Sequence, residues 1–174
     1  CPEGWDETSL CLKKVEEGLE RRYNGKPSLE VLRQADYECG VICQMQFCGY
    51  FLVVADYINW AKAHGVMVGP GRGSAAGAMV AYAMGITELD PLEHGLIFER
   101  FLNPERVSLP DIDVDFDPDG RGRVLDYVGE KYGRDKVAQC VIYGTIKTKQ
   151  ALKDSARIMG YDFSVGDKIT DRKS

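Results

Sequence analysis

Pro110-Asp111-Ile112-Asp113-Val114-Asp115-Phe116 alternates acidic and apolar side chains along its length. In extended backbone, side chains two residues apart share a face at roughly 6.5 Å spacing. Asp111, Asp113 and Asp115 would therefore line one face, while Ile112, Val114 and Phe116 turn towards a core. Like charges stacked this closely repel, and some would take up protons. A divalent cation removes that penalty and gives the arrangement a purpose. Carboxylates at this spacing suit a pair of Mg²⁺ ions about 3.5–4 Å apart, the geometry of in-line phosphoryl chemistry. A solvated acidic edge strand explains one such aspartate well, but three with apolar partners poorly. Periodicity alone does not choose among the three.

Upstream lies the glycine-rich stretch Gly69-Pro70-Gly71-Arg72-Gly73-Ser74. It follows the apolar run Val66-Met67-Val68, read as a strand, and opens a small-residue helix expected from Ala75 to Met84. Glycines let backbone N–H groups approach phosphate oxygens, and a following helix offers its positive end. Ser74 adds a hydroxyl and Arg72 a planar charged fork. Alone, the loop reads equally well as a tight strand-to-helix turn. Together with the carboxylates it points to a nucleoside triphosphate whose metals sit on the aspartates. Arg100 and Arg106 could reach a phosphate, or simply pair with Glu99 and Glu105. Lys147, Lys149 and Lys153 share a helix side that could follow a DNA backbone, although a solvated face is the simpler reading. His64 and His94 read as structural.

Around these motifs the periodicity predicts helices over Leu10–Tyr23, from Ser28 towards Met45, over Tyr50–His64, Pro91–Leu102, Val124–Tyr132 and Lys147–Met159. Strands are expected at Val66–Val68, Ser108–Phe116 and Val137–Tyr143, giving an α+β domain. The chain has 174 residues, 44% hydrophobic and 28% charged, with a net charge of −5. That balance argues against indiscriminate nucleic-acid binding through a basic surface but not against DNA held in one groove. No apolar run approaches the ~20 residues of a membrane span, and the start lacks the pattern of an export signal. A cytoplasmic protein without membrane contact is expected, and the absence of an initial Met points to part of a longer chain. Cys1, Cys11, Cys39, Cys43, Cys48 and Cys140 lack the spacing of a zinc set and read as reduced thiols, mostly small buried hydrophobes.

Four blocks occur in order: Gly49-Tyr50-Phe51-Leu52-Val53-Val54-Ala55-Asp56, Val68 through Gly77, Phe98 through Arg106, and Pro110 through Phe116. With them the chain resembles the C-family replicative DNA polymerases, the α subunits of bacterial DNA polymerase III. The resemblance implies a polymerase β-like nucleotidyltransferase palm over 1–144 and the start of a helical thumb over 145–174. It implies that Asp113 and Asp115 hold two catalytic Mg²⁺ ions, and that Arg72, Gly73 and Ser74 bind the incoming dNTP. The implied partners are primer-template DNA, and a sliding clamp and clamp loader through regions absent here. A third carboxylate would lie beyond this chain, so the piece alone is expected to be inactive. Gln46 stands where the family usually has glycine, and Asp171–Ser174 depart from the family's continuation.

Two other readings compete. Asp115, Asp117, Asp119-Gly120 and Asp126 copy the spacing of an EF-hand calcium loop over 115–126. However, Gly122 replaces an apolar residue and Asp126 the usual glutamate. Gly71-x-Gly73-x-x-Ala76 fits a permissive dinucleotide-binding fingerprint, with Asp90 near the ribose position. That reading leaves the aspartates without a role.

Overall fold

Asp6 accepts the Ser9 amide at 2.8 Å and opens α1 (Glu7–Arg22). A short side-chain oxygen there satisfies an N–H that the first helical turn leaves unpaired. In the computed structural model, which describes residues 1–105, 109–141 and 143–170, Ser28 does the same for α2 (Leu29–Gln44), accepting Val31 N–H at 3.3 Å. After a tight corner comes α3 (Cys48–Ala63). Asn24 and Gly25, at φ 52° and 73°, and Gly65, at 73°, reverse the chain after α1 and α3, as their sequence predicts. Gln46 takes φ 60° in the corner between α2 and α3. This is the left-handed region in which glycine is at ease.

These helices bury Leu19, Ile42, Phe51 and Ile58 around a short central helix, α4 (Met79–Ala83), of which Met79, Val80, Ala81 and Ala83 are buried. Gly18 lets α1 approach α4 closely, since a Cβ there would lie 2.0 Å from the Ala83 carbonyl oxygen. Farther along, α5 (Arg121–Tyr132) packs on α3. Tyr127 stacks on Trp60 with ring centroids 4.3 Å apart, and Asp56 accepts from Tyr127, Lys131 and Tyr132. No single helix among the described residues is long and apolar enough to cross a membrane.

The chain divides into two compact units, Cys1–Val137 and Ala138–Ser174. The second contains α6 (Thr148–Ile158) and α7 (Phe163–Thr170), braced by an ion pair between Lys153 and Asp167. α7 has no counterpart among the helices expected from the sequence. Residues 171–174, where the sequence is expected to depart from the family's continuation, lie outside the described residues.

The expected α+β class and polymerase β-like palm are overturned. The described residues form helices and 3₁₀ turns with no strand, and the only pairing is one antiparallel bridge between Val68 and Phe116. The alternation at 111–116 is real, but its cause differs. Ile112, Val114 and Phe116 pack on the helical core, so this segment lies on helices and, among the described residues, pairs with other backbone only through the bridge at Phe116. Period-two patterning requires only extended backbone with one buried face. The Val137–Tyr143 strand is absent from the described residues, where Val141 and Tyr143 are exposed; Ile142 lies outside them, as does Ser108 at the start of the other run. The Ala75–Met84 helix is split into a 3₁₀ turn, Ser74–Gly77, and α4. Pro91–Leu102 is mostly turns with a 3₁₀ segment at Phe98–Arg100.

Candidate functional site

The glycine loop is strapped to the carboxylate segment by its backbone. Gly69 N–H donates to Asp115 O at 2.9 Å, and Asp117 N–H to Met67 O at 3.1 Å. On the other side, Glu88 N–H donates to Pro70 O at 2.8 Å. Gly71 and Gly73 take φ 107° and 69°, and both positions are also crowded. A Cβ on Gly71 would meet Thr87 Cγ2 at 2.8 Å, and one on Gly73 would meet Asp113 Oδ2 at 3.0 Å. Only a residue without a side chain lets the loop turn this close to the carboxylates.

Arg72 spans two of the three aspartates. Its Nη2 lies 3.5 Å from Asp113 Oδ1 and its Nε 3.0 Å from Asp115 Oδ2. Asp111 is exposed and takes no part in this cluster. Ser74 is exposed at the start of the 3₁₀ turn. The structure thus brings Arg72, Gly73, Asp113 and Asp115 together, with Ser74 beside them. No group of three or more His, Cys, Asp or Glu side chains able to hold a metal occurs among the described residues. Two carboxylates that share one cation nevertheless fit Mg²⁺, a hard ion commonly held by one or two carboxylates plus substrate phosphates and water. The guanidinium supplies the positive charge there.

A family model described as the bacterial DNA polymerase III alpha NTPase domain matches residues 9–174. The chain belongs to the bacterial DNA polymerase III α family. Among its relatives, the DNA polymerase III subunit alpha of Mycobacterium tuberculosis is 54% identical over 171 residues, covering 97% of this chain and 14% of the relative. That of Thermus aquaticus is 64% identical over 130 residues, covering 75% of this chain and 11% of the relative. That of Neisseria meningitidis serogroup B is 47% identical over 178 residues, covering 97% and 16%. The chain therefore spans about one seventh of the length of the mycobacterial relative.

In this DNA polymerase III α family member the competing motifs do not assemble. Asp117 accepts from Met67 N–H and Gly120 N–H, serving the turn into α5, and Asp126 lies on α5 opposite Arg134 at 3.8 Å. The described residues before this loop, 109–114, carry no helix, which an EF-hand needs. Asp90 accepts from the Tyr23 hydroxyl and Leu92 N–H, closing a turn instead of facing a ribose. Among the lysines read for DNA, Lys153 pairs with Asp167. Arg100 is exposed, whereas Arg106 lies outside the described residues. His64 stacks on Trp60 with centroids 4.2 Å apart, in keeping with its structural reading. All six cysteines are free; Cys11, Cys39 and Cys48 are buried, but Cys1 and Cys140 are exposed.

Sequence reasoning missed the side chains behind the loop. Glu38 is buried in α2 with no exposed surface. Its Oε2 accepts Val80 N–H at 2.9 Å, and its Oε1 accepts from Gln34 at 2.9 Å. Burial pushes its carboxyl up to about 7. The signal was present, since Glu38 interrupts the apolar stripe Val31, Ala35, Cys39, Ile42. Arg22 was missed as well; it donates to Tyr82 O, Thr87 O and the Glu88 carboxylate.

Proposed function

We propose that this chain is part of a DNA-directed DNA polymerase of chromosome replication, and that it contributes the Mg²⁺ carboxylates and the dNTP-binding loop. The observation that carries this reading is the convergence of Arg72 on Asp113 and Asp115, with Gly73 backed against Asp113. In the implied reaction a primer 3′-hydroxyl attacks the α-phosphate of a dNTP and pyrophosphate leaves. Asp113 and Asp115 would hold the metal. Mg²⁺ ions, when bound, lower the pKa of the attacking hydroxyl and offset charge on the leaving phosphates.

Arg72 has a defined part in this scheme. Its guanidinium balances the charge of both carboxylates, and its planar fork would suit triphosphate oxygens by shape and charge. Gly73 allows the backbone to approach those oxygens, and Ser74 offers a hydroxyl donor. Residues from 145 onward form the start of a thumb. Primer-template DNA, a sliding clamp and a clamp loader are the partners of the whole cytoplasmic enzyme.

The test is primer extension by a full-length polymerase carrying these residues, comparing wild type with Asp115→Asn. Template-dependent extension that collapses in the variant supports the reading. Undiminished extension by Asp115→Asn, or none from folded wild type, refutes it.

A further inference from the structure

We infer that Glu38 is a positioning residue for the triphosphate loop: from α2 it caps the buried start of α4 and so holds Gly73 and Ser74 beside the carboxylates. The inference rests on the reading of that loop as the dNTP site.

A helix start leaves N–H groups without intrahelical partners, and a side-chain oxygen at the N-cap usually takes one of them. In α4 that position is Ala78, and no side-chain cap is made from it. Glu38 supplies the missing acceptor from another helix, through its bond to Val80 N–H at 2.9 Å. A buried carboxyl is unfavourable unless hydrogen-bonded, and among the described residues Glu38 is the only charged side chain in the core. Gln34 satisfies its second oxygen at 2.9 Å. An apolar residue would fill this space with less penalty, but would leave the Val80 N–H unpaired.

The chain between this cap and the loop has no slack. Ala78 N–H bonds back to Ala75 O at 3.1 Å, and Ala75, Ala76 and Gly77 are buried. A Cβ on Gly77 would lie 2.8 Å from the Ile97 carbonyl oxygen, so this turn is pressed against its neighbour. The far end of α4 is held separately. Arg22 bonds Tyr82 O at 3.0 Å, Arg21 bonds Ala83 O at 3.1 Å and Asn59 bonds Met84 O at 2.9 Å. With that end fixed, loss of the Glu38 bond lets the start of α4 shift, and the displacement passes through the 3₁₀ turn to Ser74.

The test uses steady-state primer extension by the full-length polymerase, with dNTP and primer-template varied separately. Glu38→Ala is expected to raise the KM for dNTP about tenfold, the equivalent of one lost hydrogen bond to a charged acceptor. Glu38→Asp keeps the charge but withdraws it by one methylene, and is expected to raise that KM about threefold or more. Glu38→Gln keeps an acceptor at full reach and should stay near wild type, while kcat and primer-template affinity stay nearly constant in all three. Adding Ala78→Ser to Glu38→Ala puts a cap back in the local position and should recover part of the loss. If Glu38→Ala does not fold, Glu38→Asp carries the test. A folded Glu38→Asp enzyme with wild-type KM for dNTP overturns the inference, as does a defect confined to kcat or primer-template affinity. If Asp115→Asn extends primers normally, the reading of the site falls, and this inference falls with it.

Discussion

Arg72 holds the charge balance of the carboxylate face, yet it contributes little to stability. Its pairs with Asp113 and Asp115 are largely exposed, and such pairs are worth about 0–1 kcal/mol. Arg72→Ala should therefore shift a urea midpoint only slightly while raising the KM for dNTP. Gly73→Ala is a harsher change. Its φ of 69° and ψ of −158°, essentially glycine-only backbone, with the 3.0 Å approach to Asp113 Oδ2, predict a loss of about 1–3 kcal/mol, measurable by the same denaturation. Gln46 shows the opposite case. An exposed glutamine at φ 60° holds strain that glycine would not, so Gln46→Gly should stabilise the protein by up to about 1 kcal/mol. No change in a pairing partner accompanies that gain, and thermal melting would measure it.

At the scale of elements, Glu38 ties stability to pH. Burial disfavours the charge and, with Glu99 adding to the effect, pushes the folded carboxyl from the ordinary glutamate value of 4.5 up to about 7. The folded protein thus keeps a proton that the unfolded chain gives up. This contribution is fully present below pH 4.5 and is lost as pH rises through about 7, a change on the order of 3 kcal/mol. The melting temperature should therefore fall between pH 5 and 8, and Glu38→Gln should flatten that slope. A slope unchanged in Glu38→Gln would mean another group sets it. Elements with local stop and start signals were legible in the sequence. Asp6 and Ser28 cap α1 and α2, and Asn24-Gly25 and Gly65 end α1 and α3. The expected strands were not, because alternation reports a buried face and does not say what buries it.

At the scale of the molecule, the cysteines offer a direct check on the packing. Cys1 and Cys140 are exposed while Cys11, Cys39 and Cys48 are buried, and burial raises the Cys11 and Cys39 thiols well above their usual range. Native protein should label rapidly at Cys1 and Cys140, with the buried thiols reacting only after unfolding. Rapid labelling of Cys39 in native protein would contradict this packing. What the sequence determined by itself were the local features: caps, glycine turns, the run of alternating aspartates and the glycine loop, with motifs dense enough to mark the family. Each of these depends on neighbours a few residues apart, whose geometry the backbone dictates. Only the tertiary structure decided that the carboxylate segment lies on helices, that Arg72 joins Asp113 to Asp115 and leaves Asp111 out, and that Glu38 caps a helix remote from it in sequence. Those contacts depend on which surfaces meet once the core is buried, and burial is a property of the whole packed chain.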